Sequence, residues 1–273
     1  MDQLSVTILG CGSSGGVPRL GVSGAPEWGE CDPADPRNIR RRCSLLVTRT
    51  SAHGITRILI DTSPDLRMQL MDAGAGTLDA VVYTHAHADH VHGIDDLRMI
   101  VINMRKRLPV WADADTCNAL MSRFAYAFVQ PAGSSYPPIC DLSQINGPIT
   151  IDGAGGPITL TGFEVEHGDI NALGFRIGNL AYLPDVSAIP ETAWPLLDNL
   201  DCWIIDCLRR TPHPSHTHLA RTLEWITRAA PKRAVLTNMH IDLDYTMLNA
   251  ETPAHVIPAH DGLTLTFPIS LVP

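Results

Sequence analysis

The chain has 273 residues, 45% of them hydrophobic, and a formal net charge of −9 at pH 7. That length and apolar content suffice for one large α/β domain with its own core. The acidic balance argues against a large nucleic-acid surface, which needs clustered Lys and Arg, but leaves room for a small phosphorylated substrate in a local basic pocket.

Seven cysteines with no Cys-x-x-Cys pair read as reduced thiols. No basic-then-apolar leader opens the sequence, and no apolar run reaches membrane-spanning length. A cytoplasmic protein with no membrane partner is expected. The oligomeric state is left open, a homodimer included.

Residues 4–9 read as a first strand, running into Gly10-Cys11-Gly12-Ser13-Ser14-Gly15-Gly16. A glycine-rich loop after a strand lets backbone approach a ligand closely, or simply makes a tight turn. Residues 21–38 are rich in Gly, Pro, Asp and Glu and read as irregular loop. Arg37, Arg40, Arg41 and Arg42 then stand out in an acidic chain. They are either a solvated basic turn or an anion-binding patch, since arginine forks match phosphate oxygens.

Residues 57–63 read as a strand with Asp61 at its end. Ser63 and Pro64 would open a helix, with Leu66, Leu70 and Met71 at helical spacing and Gly74 as its stop. Asp61 is either a turn former or a carboxylate orienting a ligand histidine. The apolar residues 78–83 give a buried strand. It runs directly into Thr84-His85-Ala86-His87-Ala88-Asp89-His90. Three imidazoles and a carboxylate within six residues suit zinc, manganese or iron.

Further on, residues 92–98 begin a helix, 109–112 form a short strand, and 116–128 form a helix. Residues 131–141 are a Pro/Gly/Ser-rich loop. From 149 to 165 the texture is β, and His167 follows a strand. Residues 174–183 read as a hairpin running into Asp185, and 201–207 as a strand holding Asp206. A His-rich loop with His213, His216 and His218 precedes a helix at 219–229. The strand at 232–237 runs into Asn238-Met239-His240, and 263–267 is the last strand. Strand, polar residue, helix recurs in both halves, with no low-complexity linker. One α/β domain spanning 1–273 is expected.

His-x-His-x-Asp-His after a strand resembles the signature of the metallo-β-lactamase fold superfamily, and the likeness spans nearly the whole chain. It implies an αββα sandwich with two divalent metal ions, Zn or Mn, at its edge. Matched in order, His85, His87 and His167 would hold one ion, and Asp89 and His90 the second, with Asp185 bridging. The family places its last ligand histidine where this chain has Asn238. His240 lies two residues later, on the same face of an extended chain. His240 is therefore expected as the last ligand, with Asn238 as a weaker ligand or a partner to a bound water.

Residues 7–12, Gly16-Val17-Pro18, Arg41-Arg42-Cys43-Ser44, Ser215-His216 and His260-Asp261-Gly262 resemble the phosphodiesterase branch of that superfamily. This implies metal-activated hydroxide attacking a phosphodiester, a small cyclic phosphate or nucleotide. His216 would be the general acid and Asp89 a catalytic carboxylate, with Ser13, Ser14, Arg41 and Arg42 positioning the phosphate. Some branch members carry a structural zinc. Here only Cys31 remains of its cysteines and Ile241 replaces its histidine, so no structural zinc is expected. The fold also hosts acyl hydrolysis of thioesters or lactams, and a non-catalytic nucleotide or metal binder is a third class, favoured by Asn238.

Overall fold

The structure is a computed structural model and describes residues 2–268. The chain divides into two units, each assembled from separated segments.

The first unit comprises the N-terminal residues to Leu9, Ser44–Thr159, and the segment from Gly262. Its seven-stranded sheet runs in the order Thr264–Pro268, Gln3–Gly10, Ser44–Ser51, Gly54–Ile60, Ala80–Val82, Leu108–Ala112, Cys140–Gln144. The last four of these pair in parallel. Ile58, Leu59, Ile60, Ala80, Val81 and Val82 are fully buried. Runs of apolar residues without alternation are what strands covered on both faces require. Helices Leu66–Asp72, Leu97–Met104 and Ala114–Phe128 contribute Leu66, Leu70, Leu97, Ile100 and Leu120 to the same core as Val81, Leu108 and Val110. The first helix starts later than its sequence predicts. Its N-cap is Asp65, not Ser63, whose hydroxyl instead donates to Gln69 Oε1 at 2.8 Å while accepting the Asp65 N–H at 3.1 Å. Gly74, at φ 61°, stands just past its end as expected.

The second unit comprises Gly10–Cys43 and Leu160–Asp261. Its strands run in the order Val256–Pro258, Ala234–Thr237, Cys202–Asp206, Leu180–Leu183, Ile170–Ile177, Ile158–His167. The first four are parallel, and the last two continue as antiparallel hairpins. Helix Leu219–Ala229 matches its predicted bounds, and helix Tyr245–Glu251, capped by Asp244, is one the sequence reading missed.

The segment expected to be irregular, 21–38, holds the strand Pro26–Glu27, which pairs with Arg19–Leu20 just before it, and a 3-10 turn at Pro36–Asn38. It is tied down by Arg40, which is 1% exposed. Its guanidinium donates to Asn38 Oδ1 at 3.0 Å, Leu243 O at 2.6 Å and His240 O at 3.3 Å. Arg40 is thus a buried clamp, and its place in a solvated basic turn or anion patch is corrected. Among the described residues, no helix is long and apolar enough to cross a membrane.

Candidate metal centre

In each unit, parallel strands ending at one edge gather polar residues there. In the first unit Ile60 pairs with Val82, so Asp61 and the Thr84–His85 turn emerge side by side. Asp61 takes a left-handed conformation, φ 64°, and is fully buried. Its carboxylate accepts the Thr84 N–H at 2.8 Å, the Thr84 hydroxyl at 2.8 Å and His90 Nδ1–H at 2.8 Å. Burial raises its pKa, and the bonds from His90 and Thr84 oppose that. Asp61 is therefore both turn former and orienting carboxylate.

These bonds fix the tautomers. Thr84 gives its one hydroxyl proton to Asp61, so at the 2.9 Å contact with His85 it is His85 Nδ1–H that donates. His90 likewise carries its proton on Nδ1, facing a carboxylate. Both rings are left with a basic Nε2, the form a metal ligand takes when a partner holds the other nitrogen. The ring centroids of His85 and His87 are 4.6 Å apart and those of His85 and His90 4.3 Å. Asp89 Oδ2 lies 3.6 Å from His90 Nε2. His87 is the N-cap residue of the short helix Ala88–Val91, which turns Asp89 and His90 back toward the strand end.

In the second unit, Leu183 pairs with Ile205, and Ile205 with Leu236. Asp185, Asp206 and Asn238 thus end neighbouring strands. Asp185, Asp206 and His216 each bring a donor atom within 4.8 Å of the others. His167 Nδ1–H donates to the Ser215 carbonyl at 2.6 Å, which leaves Nε2 basic, 3.9 Å from Asp185 Oδ2. His216 Nδ1–H donates to Asp206 Oδ2 at 2.9 Å. Asp206 is fully buried, and burial pushes its carboxyl up to about 6 against the opposing pull of the His216 imidazole. The rings of His167 and His216 meet edge-on, 4.6 Å apart.

Asn238 donates through Nδ2 to Asp185 Oδ1 at 2.6 Å and to Asp206 Oδ1 at 3.2 Å. An amide here supplies two protons to two buried carboxylates. His240 is not brought into this cluster. Its Nδ1 faces Asp242 Oδ1 at 3.1 Å. The expectation that it would share a face with Asn238 assumed extended backbone, but Asn238 sits at φ 59°, which breaks that alternation.

The expected phosphate-positioning residues also lie in the second unit. Ser13 is 2% exposed and Ser14 is exposed. Arg41 approaches Asp261, with Nε 3.6 Å from Oδ2. Arg42 lies beside Gly16. Asp206 and the Ser215 carbonyl had no assigned role in the sequence reading. The sequence signal for Asp206 was there: three strands ending in Leu-Pro-Asp, Ile-Ile-Asp and Leu-Thr-Asn.

The donor set, imidazoles anchored at Nδ1 and buried carboxylates, fits divalent zinc or manganese. A family model described as a beta-lactamase superfamily domain matches residues 56–241. A diphosphatase of the PhnP family, known as a crystal structure, is 33% identical, covers 98% of each chain and superposes with a TM-score of 0.84. An octanoyltransferase of Porphyromonas gingivalis is 33% identical over 261 residues, 94% of this chain and 50% of that protein. A ribonuclease Z of a Bradyrhizobium strain is 30% identical over 147 residues, 52% of this chain and 45% of that one. The chain spans about half the length of these two curated relatives. The chain belongs to the beta-lactamase superfamily, and its fold class is the metallo-β-lactamase type that the histidine motif led us to expect.

Proposed function

We propose that residues 1–273 act as one metallo-β-lactamase-like domain that hydrolyses a phosphodiester or diphosphate bond in a small substrate. His85, His87 and His167 would hold one divalent ion, Asp89 and His90 the second, and Asp185 would bridge them. Asn238 keeps Asp185 in place through its amide. Ions bound there would supply charge stabilisation at a phosphoryl group and lower the pKa of a water. The observation that carries this reading is the His216–Asp206 pair at 2.9 Å.

His216 holds a proton on Nδ1 against a buried carboxylate, so the imidazolium form, protonated also on Nε2, is stabilised by Asp206. From Nε2 it gives a proton to the departing alkoxide and is left neutral, still bonded to Asp206. An alkoxide needs that proton; a thiolate does not. The pair therefore favours phosphoester over thioester chemistry. The diphosphatase relative, matched over 98% of its chain, supports the same class. The octanoyltransferase name belongs to a protein of which this chain matches half.

A panel of cyclic ribose phosphate, 2′,3′-cyclic nucleotides, linear diesters and dinucleoside diphosphates tests the proposal on enzyme reconstituted with Zn²⁺ or Mn²⁺. Turnover of at least one is expected. Turnover of thioesters or lactams alone would overturn the reading.

A further inference from the structure

The turn at residues 13–16 carries features that the metal-ligand set does not use. Gly16 N–H donates to Ser13 O at 2.7 Å and closes the turn. Ser13 N–H donates to Met239 O at 3.3 Å, which puts Ser13 beside the residue following Asn238. The Ser13 hydroxyl is buried and meets no hydrogen-bond partner. Arg19 Nε is in the same state. In strand register Arg19 faces Glu27, yet among the described residues no carboxylate pairs with it.

The Arg19 side chain folds back over Gly15. A Cβ at Gly15 would stand 3.0 Å from Arg19 Nε and 3.4 Å from its Cγ. The Arg42 guanidinium lies on the neighbouring glycine, with Nη1 3.8 Å from where a Gly16 Cβ would be. Arg19 Nε and Arg42 Nη1 therefore lie against consecutive glycines, in the turn that begins with Ser13 and its orphaned hydroxyl, in a chain of net charge −9. Buried polar groups without partners are rare, and an absent ion or water is a standard reason for one. Paired arginine forks and a hydroxyl around a glycine turn match the oxygens of a phosphoryl group.

We infer that Ser13, Gly15 and Arg19 form a second phosphoryl subsite, which takes a phosphate of the substrate other than the scissile one. Arg19 is its specificity residue. Among the described residues no hydrogen bond or ion pair ties Arg19 to the cluster of Asp185, Asp206, His216 and Asn238. The assignment of a scissile phosphate rests on the phosphodiester reading above; the presence of the anion subsite does not.

The test is calorimetric titration of the zinc-loaded full chain with inorganic phosphate and with inorganic pyrophosphate in zinc-buffered solution. Wild type should bind pyrophosphate about tenfold more tightly than phosphate. Arg19→Ala should weaken pyrophosphate binding by about tenfold and change phosphate binding by less than about twofold, and Arg19→Lys should recover part of the loss. Gly15→Ala keeps the charge and displaces Arg19 Nε by only a few tenths of an ångström, so it should lower pyrophosphate affinity in the same direction as Arg19→Ala but by less. Unchanged pyrophosphate affinity in Arg19→Ala, or equal loss for both anions, overturns the inference. Failure of wild type to cleave any diester would overturn the phosphodiester reading, while the anion ratio would still decide on the subsite.

Discussion

Replacing His216 by alanine separates an acid from a ligand. The imidazole is held at 2.9 Å by a fully buried carboxylate, and its side chain is 17% exposed, enough for Nε2 to reach a leaving oxygen. A positioned general acid contributes roughly 10²–10⁴-fold, or about 3–5 kcal/mol of barrier. Of the two imidazoles seen beside it, His167 is assigned to an ion, and His213 lies 5.2 Å away between ring centroids with its Nδ1 accepting the Ser215 N–H at 3.3 Å, so neither is placed to replace it. On a diester with an alkoxide leaving group, kcat of His216→Ala should fall about 10³-fold with KM little changed. On bis(p-nitrophenyl) phosphate the leaving group departs as an anion, and the fall should be under about tenfold. Steady-state kinetics on both substrates, with bound metal measured by elemental analysis, reads the outcome. An equal fall on both substrates, or loss of a metal ion, would show that His216 acts as a ligand and refute its role as acid.

Asp61→Asn should weaken metal binding about 10–100-fold in a chelator competition, because the amide can no longer accept His90 Nδ1–H and both Thr84 donors together. Retained affinity would mean that the His90 ring is held without it. Arg40→Leu leaves Leu243 O without the Arg40 donor and Asn38 Oδ1 with only the Tyr245 N–H, inside the second unit, so chemical denaturation should show a loss of about 3 kcal/mol, and a loss below about 1 would refute the clamp. The Arg37 fork holds the Asp35 carboxyl at about 2, below its ordinary 3.8. A depressed carboxylate pKa stabilises the fold above its unfolded value and loses that contribution as pH falls toward the folded one. The melting-temperature gap between wild type and Asp35→Asn should therefore be full at pH 6 and narrow below about pH 4; a gap that widens on acidification would reverse the sign.

The strands were legible because their apolar runs have no alternation, which is how parallel strands buried on both faces read. The histidine motif at 85–90 was legible because its ligands are adjacent in sequence. What lay out of reach depends on contacts between distant residues. Arg40 read as part of a basic run, and its partners at 240–243 are some two hundred residues away. His240 and Asn238 differ only in the backbone between them, and a single left-handed residue decides which side chain meets Asp185. The helix at Tyr245–Glu251 buries only Leu248, so its seven residues carry no apolar stripe to announce it.

The pairing of Gln3–Gly10 with Thr264–Pro268 bears on how this chain folds. Gln3 faces Pro268 across more than 260 positions, so this strand pair of the first unit's sheet forms only after every residue between them has been synthesised. Until then the opening strand has one open side, and such edges recruit other chains. Pairings this distant in sequence also slow folding, since the loop must close before any contact rewards it. During synthesis the interval of greatest exposure to aggregation should therefore be long, and a shortened C-terminus that removes Thr264–Pro268 should leave the first strand as a sticky edge.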